Sequence, residues 1–237
     1  MPAWKARSSS CSHGRVRGID LIIFDCDGVL VDTEEVSSRA MAQAIAPLGW
    51  TPSWQEVHRR FTGMMVADIV AAIENEIGRP APPDWPARFR RIASEAFADG
   101  VAPVAGVAEI LPDLRIPFCV ASNGPREKMA ITLGGSGLLA HFEQRMFSAY
   151  DVGRGKPAPD LFLHAAAIMG ARPSRCLVIE DSLAGLQAAH TAGMQVACYR
   201  PDGGLPPGIP QTTHRLRAMA GVPGLLARLT SDAAAGA

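Results

Sequence analysis

The sequence has no surplus of charge of either sign: 23 lysines and arginines face 23 aspartates and glutamates. A chain without a net basic field has no general attraction for nucleic acid or anionic lipid, so any anion it handles must be held by a local site. It lacks an apolar run of about 18 residues, which argues against a helical membrane span. It lacks a C-x-x-C pair, and its five cysteines, Cys11, Cys26, Cys119, Cys176 and Cys198, are odd in number. Cys26, Cys119 and Cys176 lie in or beside apolar runs, so they read as buried free thiols of a reducing compartment. The six histidines form neither H-E-x-x-H nor a Cys/His cluster, which argues against zinc. No G-x-x-x-x-G-K-[ST] is present, so a P-loop is excluded. The opening "MPAWKARSSSCSHGRVRG" is basic and serine-rich without the apolar stretch of a secretory signal. Residues 1–16 therefore read as a flexible tail, and 229–237, ending "SDAAAGA", as another. A cytoplasmic chain with no membrane or nucleic-acid partner is the expectation.

What is present is core material: 48% apolar and 19% charged residues. Four runs, "IDLIIF" (19–24), "FCVAS" (118–122), "CLVIED" (176–181) and "QVACY" (195–199), are apolar almost throughout. Strands covered on both faces have this character. Helical patterns at 106–114, 126–138, 160–169 and 182–192 alternate with them. The order predicts an α/β fold, a doubly wound and mostly parallel sheet. The interval from Phe24 to Phe118 is far longer than a crossover requires. Within it, "VSSRAMAQAIAPLGW", "VADIVAAIENEIG" and "WPARFRRIASEAFADG" carry helical spacing, and "RPAPPDWP" (79–86) is a proline-rich loop. The division expected is a core of 17–33 and 101–228 with a helical insertion at 34–100. "RPDGGLPPGIPQTTH" (200–214) reads as an irregular loop.

The stretch "LIIFDCDGVLVDTEE" (21–35) ends a buried strand in two aspartates around one cysteine. Buried carboxylates lose hydration unless cations accompany them. In open parallel sheets, ligands bind beyond the carboxyl ends of the strands. The polar residues at those ends are Asp25, Asp27 and Gly28; Ser122, Asn123 and Gly124; Lys156 in "GRGKPAPD"; and Glu180, Asp181 and Ser182. Four carboxylates converging with one lysine would repel strongly, and an oxygen-seeking divalent cation such as Mg²⁺ would balance them. Ser122, Asn123 and Lys156 suit a phosphate, aided by the helix N-terminus at Ser182. One aspartate can serve as nucleophile and its partner as general acid and base. Spacing by two puts Asp25 and Asp27 on one side of an extended chain, with Cys26 directed away. A lone D-x-D is common by chance, and Val29 and Leu30 rule out an EF-hand loop. The set of four, each at a strand end or loop, is the informative signal.

That set, "FDCDGVLVD" (24–32), "ASNGP" (121–125), "GKPAPD" (155–160) and "VIEDSLAG" (178–185), resembles the haloacid dehalogenase superfamily of phosphohydrolases. The resemblance implies a Rossmann-like core with a helical cap inserted after the first strand. It implies Asp25 as nucleophile and Asp27 as general acid/base and backbone-carbonyl ligand of Mg²⁺. It implies Ser122 and Lys156 as phosphate binders, with Glu180 and Asp181 completing the metal site. The aspartate at Asp27 favours phosphate chemistry over dehalogenation. Related sugar phosphomutases carry a cap histidine where Ser37 stands and a cap arginine where Val66 stands, which weakens that alternative. Locally, "SRAM", "FTG", "SNGPREKM", "FSAYDVGRGKPAPD" and "FLHAA" resemble bacterial phosphatases acting on 6-phosphogluconate, of the phosphoglycolate phosphatase-like type. The expected substrate is a small phosphorylated metabolite, a sugar or sugar-acid phosphate. Gly28 is expected beside the phosphate, and Thr62, Gly63 and Met64 are expected to touch substrate from the cap. A receiver domain and a non-catalytic phospho-ligand binding protein are the other readings. A monomer or weak dimer is expected.

Overall fold

The computed structural model describes residues 18–61, 66–98 and 100–234. Six strands form one sheet: β1 (Leu21–Phe24), β2 (Phe118–Ser122), β3 (Met146–Ser148), β4 (Cys176–Glu180), β5 (Gln195–Tyr199) and β6 (His214–Leu216). The order is β3-β2-β1-β4-β5-β6 and each pairing is parallel, which is the doubly wound, Rossmann-like arrangement expected. Strand order reverses between β1 and β4, the place where such sheets bind ligands. The register pairs Phe24 with Ile179, so Asp25 and Glu180 leave the sheet side by side.

Alternation along the strands divides the core into two layers. Ile22, Phe24, Val120, Leu177 and Ile179 face one cluster. Leu21, Ile23, Cys119, Ala121, Cys176 and Val178 face the other, where Ala165, Ala166, Ala188 and Ala189 let helices lie close to the sheet.

Between β1 and β2 run α1 (Glu34–Ile45), α2 (Trp54–Phe61), α3 (Val66–Ile77), α4 (Trp85–Ala98) and the short α5 (Val107–Ile110). Helices α1 to α4 bury a third cluster of their own, including Ile45, Phe61, Ile73, Trp85 and Phe97. The buried Trp85 indole donates to the Ala44 carbonyl at 3.0 Å, so its N–H is satisfied. Beyond β2 come α6 (Arg126–Gly135), α7 (Ala149–Val152), α8 (Asp160–Ile168), α9 (Leu183–Thr191) and α10 (Val222–Ala234).

Several boundaries differ from the sequence expectations. The helix expected over 106–114 is α5 followed by a 3₁₀ turn at Leu111–Asp113, because Pro112 cannot donate to an α-helical ladder. The expected C-terminal tail from 229 is helical through Ala234, and Leu229 packs on the first cluster beside the buried Leu225 and Leu226. Strands β3 and β6 were not expected, and His214 begins β6 where a loop was read. Residues 1–16, Cys11 among them, and Thr62, Gly63 and Met64 lie outside the described residues. Among those described, no helix is long and apolar enough to cross a membrane.

Candidate active site

Strand β1 delivers Asp25, strand β4 delivers Glu180 and Asp181, and the loop before α8 delivers Lys156. The Lys156 ammonium donates to Asp25 Oδ1, to Glu180 Oε1 at 2.7 Å and to the Ala121 carbonyl at 3.0 Å. Those three bonds fill its three donors. The burial of Lys156 would lower its pKa, but the charges of Asp25 and Glu180 outweigh that and raise it. One cation is thus shared by two carboxylates. Glu180 Oε2 accepts from the backbone N–H and the hydroxyl of Ser182, each at 2.8 Å, and the Ser182 hydroxyl caps α9 by accepting from Gly185 N–H. A Cβ at Gly185 would lie 1.9 Å from Glu180 Oε1. That glycine is what lets the first turn of α9 close over the carboxylate.

Asp25, Glu180 and Asp181 each offer an oxygen within 4.8 Å of the others. Burial pushes Asp25 up from 3.8 to about 7; Lys156 opposes the rise, and Glu180 and Asp27 add to it. Asp181 rises to about 8, through burial first and then the charges of Asp25 and Glu180. Three carboxylates against one lysine leave two negative charges to balance, and the donors are all oxygen. That set fits a hard divalent cation such as Mg²⁺.

The other expected residues take more specific places. Asp27 sends its carboxylate elsewhere: Oδ1 accepts from the Thr33 hydroxyl at 2.8 Å and Oδ2 from Lys128 Nζ at 2.7 Å. Its side chain is therefore not in the acidic cluster. Gly28 adopts φ +80°, and a Cβ there would lie 2.3 Å from Asp181 Oδ2. Its N–H already donates to the Val31 carbonyl. The close neighbour that requires this glycine is Asp181. Asn123 likewise spends its amide on the chain: Oδ1 accepts from Lys156 N–H at 2.8 Å, and Nδ2 donates to the Lys156 carbonyl at 3.2 Å. Asn123 thereby fixes the Lys156 loop. Ser122 is buried, and its hydroxyl accepts from Gly124 N–H at 3.1 Å.

Cys26 is buried, and its Sγ meets the Thr132 hydroxyl of α6 at 3.8 Å. Burial first, then the charges of Asp27 and Asp25, push its pKa up, so it is no nucleophile. Sequence reasoning missed two groups on Asp27, Lys128 and Thr33. The sequence mark of Lys128 is its place in the first turn of the helix after "SNGP", away from the strand ends.

A cavity of about 580 Å³ opens over Asp25. Its floor holds Asp25, Asp27, Ser122, Lys128 and Lys156, and its roof holds Met41, Val57, Phe61, Ile69 and Phe89 from the inserted helices. Ser37 and Val66 also line it.

The family model for haloacid dehalogenase-like hydrolases matches residues 19–193. The chain belongs to that family. It is 35% identical over 185 residues to a 6-phosphogluconate phosphatase of Escherichia coli, covering 78% of this chain and 84% of that one. It is 31% identical over 214 residues to a validoxylamine A 7'-phosphate phosphatase of Streptomyces hygroscopicus, covering 88% and 93%. Among solved structures, a family hydrolase from Deinococcus radiodurans with bound phosphate and sodium superposes with a TM-score of 0.72 at 30% identity, covering 89% and 96%. The chain is therefore a haloacid dehalogenase-like hydrolase, with a helical cap inserted after β1 and an acidic cluster suited to a divalent cation.

Proposed function

We propose that this hydrolase is a Mg²⁺-dependent phosphatase of a small phosphorylated metabolite, a sugar or sugar-acid phosphate such as 6-phosphogluconate. The observation that carries the reading is the Asp25 carboxylate at the β1 end, held by Lys156 beside Asp181 and open to a cavity that also presents Ser122. Asp25, Asp181 and Glu180 would hold the cation, joined by the backbone carbonyl of Asp27. The bound cation would offset the charge of the phosphate as it meets an anionic nucleophile.

Asp25 attacks phosphorus, and the bond from phosphorus to the leaving oxygen breaks as Asp27 supplies that oxygen with a proton. A water oxygen then attacks the phosphorus of the aspartyl-phosphate. The bond to Asp25 breaks, and the water proton passes to Asp27, restoring both residues and releasing inorganic phosphate. Ser122 orients the phosphoryl oxygens and Lys156, bonded to Asp25, holds the attacking carboxylate in place, while the apolar roof excludes water during the first transfer. Thr62, Gly63 and Met64 are proposed to contact the leaving group from the cap.

Two relatives are described as phosphatases of 6-phosphogluconate and of validoxylamine A 7'-phosphate, which supports a small phosphorylated metabolite as substrate. Ser37 and Val66 line the cavity where the mutase alternative would need a histidine and an arginine. The test is inorganic phosphate release from a panel of phosphorylated sugars and sugar acids, with Mg²⁺ and with chelator. Release that requires Mg²⁺ and is lost in Asp25→Asn is expected. Isomerisation without release, or activity indifferent to chelator, overturns the reading.

A further inference from the structure

Lys128 is a cation of the cavity floor that the nucleophile and acidic cluster do not use. It sits in the first turn of α6, and its ammonium lies 2.7 Å from Asp27 Oδ2. Thr33 holds the other oxygen of the same carboxylate at 2.8 Å. Lys128 and Thr33 each hold one oxygen of the Asp27 carboxyl, so the pair fixes the direction in which that group points. Lys128 is itself held. Its ammonium lies 5.6 Å from the Phe97 ring centre, and its carbonyl accepts from Thr132, which also meets Cys26. Residues 128 and 132, one turn apart on α6, thus address the Asp25–Asp27 segment together. Gly135 lets this helix approach closely, since a Cβ there would lie 2.5 Å from the Phe97 carbonyl.

We infer that Lys128 is a positioning residue for Asp27: by holding Oδ2 it orients this carboxyl for its proton transfers, of which the one from the water attacking the aspartyl-phosphate is isolated when the leaving group needs no proton. The inference rests on the phosphatase reading above. With a leaving group that needs no proton, only the second step calls on Asp27, so loss of Lys128 slows hydrolysis of the phosphorylated enzyme more than its formation.

The experiment is rapid-mixing kinetics with p-nitrophenyl phosphate and Mg²⁺, a substrate whose leaving group needs no proton. Lys128→Met should give a burst approaching one p-nitrophenol per active site, then a steady rate at least about tenfold below that of the unsubstituted protein, the usual scale for losing a charge-assisted bond. Phosphorylated protein should accumulate in acid-quenched samples. Lys128→Arg should recover much of the steady rate. The burst amplitude counts folded sites, so a merely structural role would lower burst and steady phase together. A steady rate within twofold of the unsubstituted protein, or slowing without a burst in both variants, overturns the inference. If the unsubstituted protein releases no p-nitrophenol, or Asp25→Asn releases it equally well, the phosphatase reading falls and the role of Lys128 with it.

Discussion

Removing the divalent cation should make this protein less stable as pH rises, and restoring it should matter most at high pH. Asp25 carries a carboxyl raised from 3.8 to about 7 by burial. Between those values the folded chain keeps a proton that the unfolded chain has lost, so stability falls as pH rises through that window and levels off above about pH 7. At 1.36 kcal/mol per pH unit the Asp25 contribution is ~4 kcal/mol. For a domain of this size that corresponds to roughly 8–16 °C in Tm. Asp181, raised to about 8 by burial and its acidic neighbours, acts in the same direction. His190 and His214 act oppositely, because burial lowers their pKa and stability rises with pH as the unfolded imidazoles lose their protons. The comparison that isolates the site is therefore chelated against Mg²⁺-loaded protein, melted from pH 5 to 8.5, alongside Asp25→Asn. Mg²⁺ should raise Tm by several degrees at pH 8 and little at pH 5, and chelated Asp25→Asn should show a shallower decline. An equal Mg²⁺ shift at both ends, or no difference in slope between chelated Asp25→Asn and the unsubstituted protein, would refute the reasoning.

Gly185→Ala should lower phosphate release at least tenfold, because its Cβ would occupy the place of Glu180 Oε1 and displace the partner of Lys156; steady-state assays with a matched melting curve check this. Asn123→Ala removes two bonds that fix the Lys156 loop. It should cost about 1–3 kcal/mol in urea unfolding and depress kcat.

The sheet was legible wherever a strand is buried on both faces, since "LIIF", "FCVAS", "CLVIE" and "QVACY" leave little alternative. β3 and β6 were not, because "MFS" and "HRL" are three residues each, too short for any periodicity. Residues meeting at the β1/β4 reversal could be collected from strand ends, and Asp25, Lys156, Glu180 and Asp181 do converge. What a linear reading lacked was the direction of each polar atom. Asn123 spans the Lys156 backbone with its amide and Gly28 lies against Asp181, directions that residue type and spacing do not carry. Lys128 reaches Asp27 from a helix, across 101 residues of sequence, and its one local mark is its place in the first turn after "SNGP".

The helical insertion buries its own tryptophan and its own apolar centre, while Asp25 stands at the end of β1 and Lys156 on the loop before α8. The cavity's roof and the carboxylate proposed as nucleophile thus belong to separate packing units. Substitutions at Met41, Val57 or Phe89 can reshape what the protein accepts without disturbing how Asp25 is held. Substrate range in this chain is free to drift while its chemistry stays fixed.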